Sequence, residues 1–165
     1  MKFILVGVVL IGMTYLGFGL SKFYRKRKRF FEDMVFLCGK LCVEISFSSD
    51  SLSAIIQNSM DNFSKDFKNM LKGYLDYLGK NGSEISVESL FGKSTLIKDD
   101  EKELFLNFFK NLGRLDASNQ VQEIENFKEK FGEIKTHADD DNKKFGNLSL
   151  KLMMLLGILV VIILI

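Results

Sequence analysis

The chain has 165 residues, of which 47% are hydrophobic and 27% are charged, and its formal net charge is +2. All 21 acidic residues lie between positions 32 and 141, and the 13 basic residues of that stretch leave it with a net charge of −8. Because such an acidic body is repelled by phosphate and by anionic lipid, nucleic-acid binding is excluded as a predicted function, whereas a basic protein partner is compatible with it.

The first predicted element is an apolar segment long enough to cross a membrane. Phe3–Leu20 carries no charge, and as a helix it extends about 27 Å, close to the roughly 30 Å of a bilayer core. A cleaved secretory signal is the main alternative, but a signal carries its positive charge before the apolar stretch and a small-residue cleavage site after it. Here the charge follows the stretch, so residues 1–21 are predicted to be a retained transmembrane anchor.

A basic flank at residues 22–29 follows this anchor. Positive charge next to a membrane helix marks the cytosolic side. The flank is therefore predicted to orient the chain in the membrane and to meet anionic headgroups, with the N-terminus outside. Its orienting residues are Lys22, Arg25, Lys26, Arg27, Lys28 and Arg29.

The middle of the chain, residues 30–144, is predicted to be one cytosolic domain. Its apolar residues recur at helical spacing, strand-like alternation is nearly absent, and the sequence contains no proline to interrupt a helix. Breaks are predicted at residues 48–51, at residues 79–82 and at Gly113, after which Asp116 opens a long last helix. The predicted fold class is all-α, a small cytosolic helical bundle of about five to six helices between two transmembrane helices.

Capping residues predict where three of these helices begin. The segment Ser48–Ser51 and the residue Ser83 each precede an apolar run, and their side chains can accept a hydrogen bond from the first turn of a helix. Asp100 and Glu103 have the spacing of a capping box, with aspartate in place of the usual serine or threonine. Helix starts are therefore expected close to these positions.

A second apolar segment follows the domain. Residues 152–165 are an unbroken apolar run of about 21 Å as a helix, and extension back to residue 145 gives about 31 Å. That extension includes Lys151, whose stem can reach the headgroups. Residues 145–165 are thus predicted to be a C-terminal transmembrane segment, with a dip into one leaflet as the alternative.

The orientation of the two segments agrees, because Lys143 and Lys144 directly precede the second one. Both basic flanks lie toward the middle of the chain, which the positive-inside rule places in the cytosol. The predicted location is the cell membrane, as a multi-pass protein with both termini outside.

Two local patterns suggest a ligand but are incomplete. Residues 91–95 look like the end of a phosphate loop, yet Val87 occupies the position where that loop has its first glycine, so a helix end is predicted instead. Residues 139–141 are three aspartates without the turn glycine and distal glutamate of a calcium loop, and a solvated charge run is predicted.

The remaining candidates for chemistry are few. His137 is the single histidine and is expected to be exposed to solvent, while Cys38 and Cys42 share a helix face without further ligands and are expected to be small packed residues. No catalytic residue, metal site, cofactor or small-molecule substrate is predicted. The chain is not expected to be an enzyme.

The segment Leu112–Asp116, followed by Gln120, resembles the LG-x-x-D-x-x-x-Q turn of the stage III sporulation protein AB family. The similarity includes the Lys-Phe-Tyr-Arg-Lys-Arg approach after the first apolar segment and Lys144–Gly146 before the second. Ser51–Ala54 falls where that family has a PL-x-EA element, with Ser51 in place of the usual proline. Two tryptophans often found in the family are missing from this chain.

This resemblance implies a fold similar to the six-helix cytosolic domain of type II secretion and type IV pilus platform proteins. The implied role is a platform in the sporulation channel between mother cell and forespore, in the mother-cell outer forespore membrane. The implied partners are a secretion-type ATPase and the other, ring-forming proteins of the channel, together with the lipid bilayer. A membrane-anchored sensory or regulatory adaptor that recruits a cytosolic partner is the alternative, and a membrane enzyme is the weakest reading.

Three residues of the turn are the remaining candidate site residues. Gly113 and Asp116 are expected to be the C-cap glycine of one helix and the N-cap of the next, in preference to direct partner contacts. Gln120 lies one turn into the last helix and is expected to make a polar contact, either within the bundle or across an interface.

Overall fold

The computed structural model describes the backbone of residues 2–48, 50–79, 85–92, 94–146 and 148–164, and the side chains of these residues except at 2–6, 150, 163 and 164. Throughout these ranges the regular elements are helices and no strand occurs. The all-α prediction is therefore confirmed.

The helices follow one another with short connections. They are α1 (Lys2–Phe47), α2 (Leu52–Ser59), α3 (Lys65–Gly79), α4 (Val87–Phe91), α5 (Asp99–Asn111), α6 (Ala117–Asp141) and α7 (Leu148–Leu164). A 3-10 turn, Met60–Asn62, follows α2, and a π-helical segment, Asn142–Gly146, follows α6. The first apolar segment, the basic flank and the first helix of the predicted domain are thus one continuous helix.

The chain folds into two compact units. The first, which we call the hairpin unit, consists of Met1–Lys28 and Thr136–Ile165 and contains both apolar segments. The second, the bundle unit, is Arg29–Lys135. It is formed by α2 to α5 together with the C-terminal part of α1 and the N-terminal part of α6, six helical segments in all among the described residues.

Phenylalanine rings form the core of the bundle unit. The Phe105 ring lies 4.6 Å from that of Phe131 and 5.4 Å from that of Phe91, and it also contacts Phe30 and Phe31 of α1. Aromatic pairs at such distances contribute about 0.5–1.5 kcal/mol each beyond the burial of their area. The abundance of phenylalanine in a sequence without tryptophan therefore has a structural use, because these rings join α1, α4, α5 and α6.

Two of the three predicted helix starts can be compared with the structure. Ser51 caps α2, since its hydroxyl accepts the backbone N–H of Ala54 at 3.3 Å. The predicted cap at Ser83 lies outside the described residues, and α4 begins after Ser86, whose hydroxyl accepts the N–H of Ser89.

The predicted capping box of Asp100 and Glu103 is wrong. Helix α5 begins at Asp99, and the carboxylate of Glu101 accepts the backbone N–H of Lys98 at 2.8 Å. Glu101 is three residues after the N-cap and is buried, so it rather than Glu103 can reach back to that amide.

Among the described residues, one helical run, residues 117–162, is long and apolar enough to cross a membrane. Its most apolar 18-residue window has a mean hydropathy of 2.1, and 12% of that window is buried. The first predicted span includes residues 2–6, whose side chains lie outside the description. One of the two predicted transmembrane helices therefore has this support, and the presence of two is not confirmed.

Candidate functional site

The turn between α5 and α6 is organised by Gly113. Helix α5 ends at Asn111, and Gly113 adopts a φ of +84°, a left-handed conformation in which glycine avoids the strain of a side chain. The N–H of Arg114 then donates to the carbonyl of Asn111 at 3.2 Å. Gly113 thus reverses the chain directly after the helix, in the position of a C-cap glycine.

Asp116 lies immediately before α6 and is exposed. Its carboxylate accepts the backbone N–H of Asn119 at 3.4 Å and the Asn119 side-chain amide at 2.6 Å. These hydrogen bonds, first the one from the side chain and then the one from the backbone, lower the pKa of the Asp116 carboxyl. The geometry is that of an N-cap, in which a charged acceptor satisfies the free N–H groups of the first turn.

Gln120 closes the turn from inside the bundle unit. Its side chain is 4% exposed, and its oxygen accepts the backbone N–H of Gly113 at 2.8 Å and that of Leu115 at 3.5 Å. Nearby, the amide of Asn111 donates to Glu123 at 2.9 Å and joins α5 to α6 a second time. The structure therefore places Gly113, Asp116 and Gln120 together, and their contacts hold the turn.

The basic residues predicted to orient the chain do not all have the same surroundings. In the hairpin unit, the ammonium groups of Lys28 and Lys143 each lie 2.7 Å from a different oxygen of Asp139, and Lys143 also lies 3.7 Å from Asp140. Hydrogen bonds from Lys143 and then Lys28 lower the pKa of Asp139 to about 2. Asp139 is thus an ion-pair partner of both basic flanks, and for this residue the predicted solvated charge run is wrong.

The other basic residues differ in exposure. Arg27 is only 6% exposed, the Arg25 guanidinium donates to the Ser21 hydroxyl at 3.1 Å, and Lys22, Lys26 and Lys144 are exposed. In the bundle unit, Arg29 lies 3.3 Å from the buried Asp33 and 3.8 Å from Glu32. A run of like charges in a sequence does not reveal this division, because it depends on acidic and polar neighbours on other turns and helices.

Contacts within the hairpin unit join α1 to the end of the chain. The rings of Tyr24 and Phe145 stack with centroids 5.6 Å apart. Further along, a Cβ atom added to Gly157 would lie 3.3 Å from Leu10 and 3.4 Å from Met13, so the two backbones approach closely there. Positions 28, 24 and 10–13 are therefore matched with 139, 145 and 157, which is the order of two antiparallel helices.

The residues that the sequence offers as possible ligand-binding groups do not form a site among the described residues. Gly92, with a φ of +52°, directly follows α4, whereas Lys93 of the phosphate-loop-like segment lies outside the described residues. His137 is exposed, as expected. Across the described residues, no group of three or more potential metal ligands occurs.

The two cysteines differ in burial. Cys38 is fully buried, and burial raises the pKa of its thiol to about 12. Cys42 is half-buried, its pKa is raised chiefly by burial, and its thiol lies 3.9 Å from the carbonyl of Val121. Thiols with raised pKa values are poor nucleophiles and poor metal ligands, in keeping with the packing role predicted for them.

Comparison with known proteins bears on the whole chain. No curated protein and no solved structure matches it. The sequence profile of the family described as stage III sporulation protein AB (spore_III_AB) matches residues 2–165. Since the match covers essentially the entire length, this chain belongs to the stage III sporulation protein AB family.

Proposed function

We propose that this chain is a non-enzymatic inner-membrane platform of the sporulation channel between mother cell and forespore, and that it docks a secretion-type ATPase. Membership of the stage III sporulation protein AB family supports the role in sporulation. The docking role is inferred from the fold that the resemblance implies, that of secretion and pilus platform proteins. The helical bundle unit is compatible with the cytosolic domain of such a platform.

The observation that carries the membrane part of this proposal is the close approach at Gly157. Small residues allow membrane helices to pack closely, since their backbones can then make van der Waals contact. Gly157 lies in the most apolar part of α7, and it faces Leu10 and Met13 of the uncharged segment of α1. If α7 crosses the membrane, the part of α1 that packs against Gly157 lies at the same depth in the bilayer. On this proposal both apolar segments span the membrane.

The same hairpin accounts for the exposed apolar side chains of its two helices. Ile11 is 72% exposed and Ile162 is 71% exposed, which is costly in water and favourable in lipid. The basic flanks lie at the end of the hairpin unit where Lys28 and Lys143 contact Asp139. In the sequence, these flanks adjoin the bundle unit. With these flanks in the cytosol, the acidic bundle is accessible to an ATPase, while both termini lie outside.

Purification of the tagged full-length chain from membranes of sporulating cells tests the proposal. After mild cross-linking, mass spectrometry is expected to identify a secretion-type ATPase, with the ring-forming channel proteins in smaller amounts. An unrelated tagged protein with two transmembrane helices serves as the control. Recovery of a regulatory protein, with no ATPase above the control, would contradict the platform role and favour the sensory adaptor.

A second test concerns the gene neighbourhood. A platform protein and its motor act together, so the gene for a secretion-type ATPase is expected immediately upstream in a spore-forming organism. A gene without such a neighbour, in an organism that forms no spores, contradicts the proposed role.

A further inference from the structure

The helical run that contains α6 and α7 is interrupted by one wider turn. Within residues 117–162, the segment Asn142–Gly146 is π-helical, whereas α6 before it and α7 after it are α-helical. A π turn is closed by hydrogen bonds between residues five apart instead of four, so it holds one residue more than an α turn. The segment, which we call the π turn, therefore contains one residue beyond what a continuous α-helix needs.

This extra residue changes the spacing of the buried positions in the hairpin unit. Ala138, before the π turn, is 1% exposed, and Gly146 at its end and Gly157 in α7 are buried. Each residue of an α-helix turns the chain by about 100°. Counted residue by residue in that way, Gly146 would lie about 80° and Gly157 about 100° from Ala138 around the helix axis. Once one residue is discounted for the π turn, both glycines lie within about 20° of Ala138, on the same face.

Without the wider turn, bulky side chains would take the places of the two glycines. A continuous α-helix with the phase of α6 would bring Phe145 and Leu156 to the buried face. Instead, Leu156 is 47% exposed and Phe145 is 44% exposed, and the ring of Phe145 stacks on that of Tyr24. The π turn thus moves two large apolar residues away from the buried face and brings small ones to it.

Contacts with α1 lie on both sides of the π turn and limit the rotation of α7. Before it, the carboxylate of Asp139 lies 2.7 Å from the ammonium of Lys28. After it, a Cβ atom on Gly157 would lie 3.3 Å from Leu10 and 3.4 Å from Met13. Helices that approach so closely require a small residue at the point of contact. Both contacts can form together only if α7 turns position 157, and not a neighbouring position, toward α1.

We propose that the π turn is a register device, whose single extra residue sets the rotation of α7 so that Gly157 packs against α1 while Asp139 keeps its ion pairs. Lys144 is exposed and belongs to the π turn, so its removal can convert the π turn into an α turn. The residues on either side then keep their faces, and Lys143 still follows Asp139 by four positions. This inference goes beyond the platform role and does not depend on it.

Disulfide scanning of the full-length chain in membranes tests this inference. Met13→Cys is combined in turn with Leu156→Cys, Gly157→Cys or Ile158→Cys, and the linked peptide pair is identified by mass spectrometry after mild oxidation. In the chain of unchanged length, the link is expected at position 157, where the Cβ distance suits a disulfide. Deletion of Lys144 is expected to leave the link at position 157, with its yield changed by less than about twofold, because the π turn gives up its extra residue.

Two control chains accompany the deletion. Lys144→Ala removes the same charge without a change of length, and its link is expected at position 157. Insertion of one alanine after Lys144 makes the opposite change in length. Because the turn is already the wider one, this insertion is expected to rotate α7 by about 100° and to move the link to Leu156→Cys. Circular dichroism confirms that each chain is helical.

Three results would overturn the inference. A link that moves to Ile158→Cys in the deletion chain would show that the helix has no residue to give up. A link at position 157 in both the deletion chain and the insertion chain would show a flexible connection that sets no register. Loss of every link in the deletion chain, with Lys144→Ala still linked at 157, would show that the π turn cannot become an α turn. Links as expected, without co-purification of an ATPase, would contradict the platform role and leave this inference standing.

Discussion

The side-chain oxygen of Gln120 accepts a 2.8 Å hydrogen bond from the backbone N–H of Gly113, seven residues earlier in the chain. Because Gln120 is buried, its replacement leaves this amide and that of Leu115 without their acceptor. We expect Gln120→Ala to lower the free energy of unfolding of the bundle unit by about 1–3 kcal/mol. Hydrogen exchange of the full-length chain in nanodiscs measures this loss of stability. In the variant, the backbone amides of residues 113 and 115 are expected to exchange faster than in the unchanged chain.

Gln122 provides the matched control, since it lies on the same helix and is exposed. Gln122→Ala is expected to change the free energy of unfolding by less than about 0.5 kcal/mol. If Gln120→Ala left exchange at residues 113 and 115 unchanged but abolished binding of a partner, the interior role of Gln120 would be contradicted and an interface role favoured.

Glycine-to-alanine substitutions at two positions should have opposite effects on stability. Gly113→Ala places a side chain at a φ of +84° and is expected to destabilise the bundle unit by about 1–2 kcal/mol. Gly132→Ala lies inside α6 with no neighbour near its added Cβ, and it is expected to stabilise by about 0.5–1 kcal/mol. Urea unfolding followed by circular dichroism compares them. Equal and small effects would show that the turn conformation is not needed for stability.

The ion pairs of Asp139 set a pH range for the packing of the hairpin unit. Hydrogen bonds to Lys143 and Lys28 lower the pKa of Asp139 to about 2. The pKa of Lys143 is in turn raised, chiefly by its hydrogen bond to Asp139. A lowered carboxylate pKa stabilises the fold above the unfolded value, near 3.8, and this contribution is lost as the pH falls from there to about 2. Conversely, the contribution of a raised lysine pKa is complete below the unfolded value of 10.5 and is lost at higher pH.

Spin labels attached at Lys22 and Lys144, which are both exposed, report the packing of the two basic flanks. The measured quantity is the distribution of distances between the two labels. One narrow distribution is expected from about pH 4 to pH 10, with broadening below about pH 4. Asp139→Asn is expected to broaden the distribution already at neutral pH, whereas Asp141→Asn, for which no ion pair is described, should not. A distribution that is identical in the two variants would contradict the role of Asp139 in holding the flanks together.

The close approach at Gly157 can be tested by a disulfide. A Cβ atom at 157 would lie 3.4 Å from the Cβ of Met13, near the 3.5–4.5 Å that a disulfide requires. Met13→Cys with Gly157→Cys is therefore expected to form an intramolecular disulfide on mild oxidation in membranes, detected as a linked peptide pair by mass spectrometry. Tyr15→Cys with Gly157→Cys is the control, because Tyr15 is exposed. Equal cross-linking of both pairs would contradict the antiparallel packing.

The helical class and most helix boundaries could be predicted from sequence because they depend on local spacing and on capping residues. Ser51 lies in the predicted capping segment and accepts the N–H of Ala54, three residues later, while Gly113 directly follows the end of α5 as expected. By contrast, the pairing of Lys28 with Asp139 joins residues more than a hundred positions apart, and no local pattern distinguishes Asp139 from Asp140 and Asp141. The predicted start of α5 is two residues too late, since several acidic residues in succession offer competing capping boxes.

The packing of α4 against α3 could not be predicted for the same reason. Gly73 and Ser89 are sixteen residues apart, and only the fold shows that the carbonyl oxygen of Ser89 lies where a side chain at position 73 would begin. The close contact between Gly157 and Met13 likewise depends on the tertiary pairing of two apolar helices. The composition of each segment determines the sign of its net charge, whereas the fold determines which charged side chains form ion pairs.

The cytosolic position of the bundle unit is the claim on which both the platform role and the recruitment of a partner depend. Fusion of a reporter that is active only outside the cell, either after Ile165 or at Asn81, tests it most directly. With two spans and both termini outside, the fusion after Ile165 is expected to be active and the fusion at Asn81 inactive. An active reporter at Asn81, together with an inactive one after Ile165, would contradict this topology and the docking of a cytosolic ATPase with it.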